Sequence, residues 1–174
     1  MKGHCVLSHG FESGPDATKV TALADAAERL GWTHERPDYT DLDARHEVSD
    51  LGDVPARLQR LLEIAGNASS HGPVVLAGSS LGAWISGCAS MQVPVRGLFL
   101  MAPPIWPGAE HELQAANIPI SILHGWHDEL IAAAHVVAWA APRNARLLLV
   151  NDSHRLGDHV EASADAFATF LQAL

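Results

Sequence analysis

Cysteine is scarce: Cys5 and Cys88 are the only two in 174 residues. Both lie in apolar surroundings on elements expected to be internal, so each reads as a small buried hydrophobe and no disulfide is expected. Basic residues are scarce too. Eleven lysines and arginines stand against twenty acids, a formal net charge of −9, and a surface poor in positive charge disfavours nucleic acid as a partner. No apolar run approaches the roughly 20 residues that span a bilayer. Met1-Lys2-Gly3-His4 leads into a strand rather than a signal-peptide core, so no membrane role and a cytoplasmic location are expected. Linkers and repeats are missing as well, and residues 1–174 are expected to form one domain. No group of His, Cys, Asp or Glu has metal-ligand spacing, and residues 78–82 lack the Lys-Ser/Thr ending of a phosphate loop, so neither metal nor cofactor is expected.

What is present is a globular composition, 48% apolar and 18% charged, arranged in an alternating pattern. Short runs rich in Val, Ile and Leu recur at residues 4–8, 33–37, 74–77, 95–101, 118–123 and 146–150, with helical stretches or loops between most of them. That alternation predicts an α/β fold on a parallel sheet. Val20, Leu23, Ala24, Ala27 and Leu30 form one helical stripe, and Val54, Leu58, Leu61, Leu62 and Ala65 another; Gly31 and Gly66 are expected to end them. Residues 130–141 are apolar on most faces and stop before Pro142, and Val160, Ala164, Phe167, Phe170 and Leu174 form a last stripe. Helices should therefore cover both faces of the sheet.

Ligands of such a sheet gather beyond the carboxyl ends of the strands, so the residues that follow each strand are informative. After the first comes His9-Gly10-Phe11-Glu12-Ser13-Gly14. The third runs into Gly78-Ser79-Ser80-Leu81-Gly82, a G-x-S-x-G sequence between a strand and a helix-compatible stretch. Glycines at both flanks let strand and helix approach closely around a serine on a sharp turn, which nominates Ser80 as a nucleophile. The fifth strand is followed by His124-Gly125-Trp126-His127-Asp128, and the last by Asn151-Asp152-Ser153-His154.

A serine hydroxyl is a poor nucleophile near neutral pH and needs a base, which in turn needs a group to fix its tautomer. Ser80, His154 and Asp128 can fill those roles. The oxyanion would be met by the backbone N–H groups of Leu81, at the start of the following helix, and of Phe11, in a loop that glycine lets turn toward the serine.

The combination of His9-Gly10-Phe11, Gly78-Ser79-Ser80-Leu81-Gly82, His124-Gly125-Trp126-His127-Asp128-Glu129-Leu130-Ile131 and Ser153-His154 resembles the α/β-hydrolase superfamily over essentially the whole chain. It looks most like the small bacterial serine esterases. The resemblance implies a mostly parallel six-stranded sheet in the order 2-1-3-4-5-6, without the first two strands of the family's full sheet. The family's acid matches Asp128 and its histidine matches His154. Ala132 departs from the proline that relatives often carry there. Residues 103–117, between the fourth and fifth strands, leave no room for a cap domain.

Alternatives remain at each position. Ser79 precedes the centre of the elbow and reads as a packing or turn residue. Glu129, Asp38 and Asp41 are the competing acids, and Asp128 also suits a helix N-cap. His159 competes with His154 as base but fits the opening turn of the last helix better. His9 and His124 precede glycines and read as loop stabilisers, and His127 as a solvent-facing loop residue. Phe11, Trp106 and Trp126 are candidate apolar walls of an open acyl site, with core packing as the competing role of each.

The implied activity is hydrolysis of small or short-acyl carboxylic esters through an acyl-enzyme on Ser80. Thioesters and amides suit the same residues, as do perhydrolase or lyase chemistry, and a non-catalytic binding protein of the fold is the reading of a different class. A small-molecule ester is the expected partner. Without a cap, exposed apolar loop surface would suit a second copy of the chain, making a homodimer.

Overall fold

The computed structural model describes residues 2–106 and 111–174. Six strands form: β1 (His4–Ser8), β2 (Thr33–Glu35), β3 (Val74–Ser79), β4 (Gly97–Met101), β5 (Ile120–Gly125) and β6 (Arg146–Val150). All adjacent pairs are parallel, in the order β2-β1-β3-β4-β5-β6. β3, β4 and β5 are buried at every position, which is why their sequences are continuous apolar runs rather than alternating ones. The edge strands β2 and β6 carry the exposed positions.

Among the described residues six α-helices pack around the sheet: α1 (Thr18–Arg29), α2 (Thr40–Asp43), α3 (Val54–Ser69), α4 (Leu81–Ser90), α5 (Ala133–Ala140) and α6 (Val160–Ala173). Successive side chains of a strand point to opposite faces, so the inner strands feed two cores. On one face, Cys5 and Leu7 of β1 and Phe99 of β4 pack with α1 and α6. Phe99 meets Phe167 and Phe170 there, with ring centroids 5.1 and 6.1 Å apart. On the other, Val6, Leu76, Leu98 and Ile122 pack against α3, α4 and α5. The connection from β4 to β5 is too short for a cap; residues 107–110 of it, like Met1, lie outside the described residues. Among the described residues no helix is long and apolar enough to cross a membrane.

Several boundaries differ from the sequence expectation for identifiable reasons. β5 starts at Ile120 because Pro119 has no N–H to place in a ladder, though its carbonyl still accepts from Leu98 N–H at 3.0 Å. Gly31 sits just past α1 with φ of 79°, as expected. Gly66 does not end α3. The helix runs through it to Ser69, because Ala65 is buried and Ala68 packs on the same core, contacts that outweigh the roughly 1 kcal/mol cost of a helical glycine. α5 begins at Ala133 rather than near residue 130, since the Asp128 side chain accepts the N–H groups of Leu130 and Ile131 in a turn.

Candidate active site

The elbow between β3 and α4 is built by two glycines. A Cβ on Gly78 would overlap the backbone of Gly82, and one on Gly82 would overlap the carbonyls of Ser8 and His9. The strand, the helix and the β1 loop can therefore meet only with hydrogen at both positions. Between them Ser80 is held at φ 53°, ψ −118°, a backbone conformation that costs a residue with a Cβ on the order of 1–3 kcal/mol. Its N–H donates to Met101 O at 2.9 Å, which pins the strained turn to the end of β4.

The Ser80 hydroxyl lies 2.9 Å from His154 Nε2, and His154 Nδ1 lies 2.7 Å from Asp128 Oδ2. The three side chains come from the ends of β3, β5 and β6. Asp128 divides its oxygens between two tasks. Oδ1 accepts from Leu130 N–H at 2.9 Å and Ile131 N–H at 2.7 Å, so that Oδ2 is left for the histidine. The turn and the histidine contact coexist in one side chain, and the N-cap position of α5 is taken by Ala132. His124, buried at the end of β5, donates from Nε2 to Ile131 O at 2.9 Å and braces the same turn. Burial holds its pKa below the usual histidine value.

The competing residues have other partners. Glu129 accepts the backbone N–H of His154 at 3.1 Å, a contact that lowers its pKa and leaves it off the imidazole. Asp38 accepts from Thr40, and Asp41 pairs with Arg60 at 2.7 Å. His159 Nδ1 is 2.9 Å from Asp152 Oδ2, in the short turn that opens α6. His127 is exposed and reaches Asn151 Oδ1 at 2.7 Å.

Beside Ser80 opens a cavity of about 700 Å³, within the range of small-molecule sites. Phe11, Leu51, Leu130 and Val160 supply its apolar wall, and Glu12, Lys19, Glu129 and Arg155 its charges. Among the described residues, the N–H groups of Phe11 and Leu81 donate to no protein acceptor. Two side chains that the sequence reading passed over lie directly behind the Phe11 loop: Arg57 and Asp43, a buried ion pair with Nε and Oδ1 2.6 Å apart. Their signal was present in one respect, because Arg57 stands three residues after Val54 and four before Leu61, a charge on the apolar stripe of α3.

The model of the alpha/beta hydrolase domain family matches residues 1–166. The chain belongs to that family. A crystal structure of an alpha/beta superfamily hydrolase from Xanthomonas campestris pv. campestris is 67% identical, with a TM-score of 0.97 over 99% of both chains. Est1E from Butyrivibrio proteoclasticus is 18% identical, with a TM-score of 0.79 over 98% of this chain and 87% of its own. The Pyrococcus furiosus esterase PF2001 is 13% identical, with a TM-score of 0.78 over 99% and 82%. Those last two similarities concern the fold. No curated protein matches the sequence.

In this alpha/beta hydrolase the three aromatic wall candidates separate. Phe11 lines the cavity, whereas Trp106 and Trp126 do not and are 53% and 57% exposed. Trp126 N–H extends the β5–β6 ladder by donating to Val150 O at 2.8 Å, and its ring is left in solvent. Leu51, Leu130 and Val160 take the place that the sequence reading gave to the tryptophans. Among the described residues no group of three His, Cys, Asp or Glu side chains is placed to hold a metal ion.

Proposed function

We propose that this alpha/beta hydrolase is a serine esterase that cleaves small or short-acyl carboxylic esters through an acyl-enzyme on Ser80. The observation that carries the reading is the continuous hydrogen-bonded line from Ser80 Oγ through His154 to Asp128, at 2.9 and 2.7 Å, with the serine on a strained elbow at the cavity. Ser80 Oγ attacks the ester carbonyl carbon while His154 Nε2 takes its proton; the carbonyl π bond opens onto oxygen. The N–H groups of Phe11 and Leu81 meet that oxyanion. On collapse the ester C–O bond breaks and the alcohol leaves with the proton from His154. Water then attacks the acyl carbon, giving its proton to His154; the acid departs and the proton returns to Ser80. Asp128 keeps the Nδ1–H of His154 directed at itself, so that Nε2 is free to act as base.

The substrate class rests on the capless architecture and on the modest apolar wall of Phe11, Leu51, Leu130 and Val160. A cavity of mixed polarity favours short acyl groups over long chains.

The test combines a fluorophosphonate probe, read by mass spectrometry, with turnover of p-nitrophenyl acetate, butyrate and octanoate by wild type, Ser80→Ala and Asp128→Asn. Labelling confined to Ser80, turnover lost in Ser80→Ala, and kcat reduced about 10³- to 10⁴-fold in Asp128→Asn are expected. In the last variant the retained oxygen still serves Leu130 and Ile131, while the amide faces His154 with a donor and reverses its tautomer. A folded wild type that neither labels nor turns over would instead support a binding protein of the fold.

A further inference from the structure

Arg57 is fully buried, and acyl transfer at Ser80 makes no direct use of it. A buried guanidinium is uncommon and needs its donors engaged. Its Nε and Nη2 grip Asp43 Oδ1 and Oδ2 at 2.6 and 3.0 Å. Two further N–H groups reach the loop after β1: Nη1 donates to His9 O at 3.3 Å and Nη2 to Gly10 O at 3.1 Å. The guanidinium also lies over the Tyr39 ring, 4.5 Å from its centroid. Asp43 Oδ2 in turn accepts Glu12 N–H at 3.0 Å.

His9 completes the arrangement. Tyr39 N–H donates to Nε2 at 3.0 Å, so that nitrogen is unprotonated and the ring proton sits on Nδ1, which donates to Gly10 O at 2.7 Å. Burial, aided by the adjacent Arg57 charge, holds the His9 pKa below its ordinary value and keeps the ring neutral. The polar groups around the loop are thus tied at the carbonyls of residues 9 and 10 and at the N–H of residue 12.

The Gly10 carbonyl and the Phe11 N–H belong to one planar peptide and point in opposite directions. Holding the carbonyl from behind therefore aims the N–H forward, at the cavity that contains Ser80. Nothing intrinsic would hold that plane, because Gly10 has no Cβ to resist rotation. A flipped plane would present a carbonyl oxygen to the developing oxyanion and repel it. An ion pair is also a poor choice for stability alone, since apolar side chains of similar volume are often as stable or better in a buried site.

We infer that Arg57, anchored by Asp43, is a positioning residue that locks the Gly10–Phe11 peptide with its N–H toward the oxyanion. The inference rests on the proposed esterase reading of the same site.

The test uses Arg57→Lys and the double variant Asp43→Leu/Arg57→Met, which removes the guanidinium from both carbonyls, leaving His9 Nδ1 as the remaining donor to Gly10 O, without leaving a buried charge unpaired. Losing one oxyanion donor outright lowers kcat about 10²- to 10³-fold. For a peptide released rather than removed, we expect the double variant to lose about 10- to 100-fold in kcat on p-nitrophenyl butyrate. KM should stay within about twofold, because the donor acts on the transition state rather than on bound substrate. The inhibition constant of phenylboronic acid, whose tetrahedral serine adduct places an oxygen at the same N–H groups, should rise by the same factor as kcat falls. Arg57→Lys keeps a positive partner for Asp43 but lacks the planar fork that spans both carbonyls, so it should lose kcat and boronate affinity with its melting temperature retained. This variant carries the test alone if the double variant does not fold. Wild-type kcat and boronate affinity in the folded variants would overturn the inference, as would a kcat loss with boronate affinity unchanged. The esterase reading fails separately, by a wild type that neither labels at Ser80 nor turns over, and that outcome removes the role of Arg57 with it.

Discussion

At Ser80 a side chain that the proposed chemistry needs stands on a backbone that favours glycine, with φ at 53°. The conflict is measurable by comparing two variants that both lack the hydroxyl. At an ordinary site, glycine in place of alanine destabilises by roughly 0.5–1 kcal/mol through the freedom it adds to the unfolded chain. Here the order should reverse, with Ser80→Gly more stable than Ser80→Ala by on the order of 1 kcal/mol in urea unfolding, because only glycine escapes the strain. An alanine variant at least as stable as the glycine variant would mean that the elbow stores no strain. The motif residues were readable in advance at this scale because glycine sterics act over a few bonds. The pairing of Arg57 with Asp43 was not, since it joins residues fourteen apart through a contact made where α3 meets the end of α2.

Between β6 and α6 the chain must turn while presenting His154, and Asp152 organises that segment. Its Oδ1 accepts Ser153 N–H at 2.7 Å, and its Oδ2 accepts Asp158 N–H at 3.0 Å and lies 2.9 Å from His159 Nδ1. Burial acts to raise the Asp152 pKa, but the hydrogen bonds from His159, Ser153 and Asp158 outweigh it and hold the carboxyl below its ordinary value. A depressed carboxyl contributes its stability above the unfolded pKa of about 3.9 and loses it as pH falls through the folded value. Asp152→Asn should therefore melt below wild type at neutral pH, with the gap closing below about pH 4. Thermal melts from pH 3 to 7 would show this, and a gap that widens toward acid would contradict it. Elements of this kind were partly legible. Strand positions followed from apolar runs, while the ends of α3 and α5 were set by Ala68 packing beyond a glycine and by an aspartate capturing N–H groups that a helix would otherwise use.

Across the whole molecule, the net charge of −9 rests on a chain with eleven histidines. The sequence pI of about 5.5 sets charge neutrality in the acid range. Burial lowers the pKa of His4, His9 and His124, so these three take up charge only below the ordinary histidine range. Light scattering against pH should accordingly show the solubility minimum between about pH 5 and 6, and a minimum near pH 4 would contradict this. The alternation of apolar runs and helical stripes determined the α/β class, and the polar residues beyond each strand nominated Ser80, Asp128 and His154, which the fold brings within hydrogen-bond reach of one another, because both signals are local in the chain. Tertiary packing alone decided what surrounds them: Leu51, Leu130 and Val160 rather than Trp106 and Trp126 wall the cavity, and Arg57 faces the Gly10 carbonyl. Those outcomes depend on where distant segments meet and on the rotation of a single peptide plane, which residue order constrains only through the completed fold.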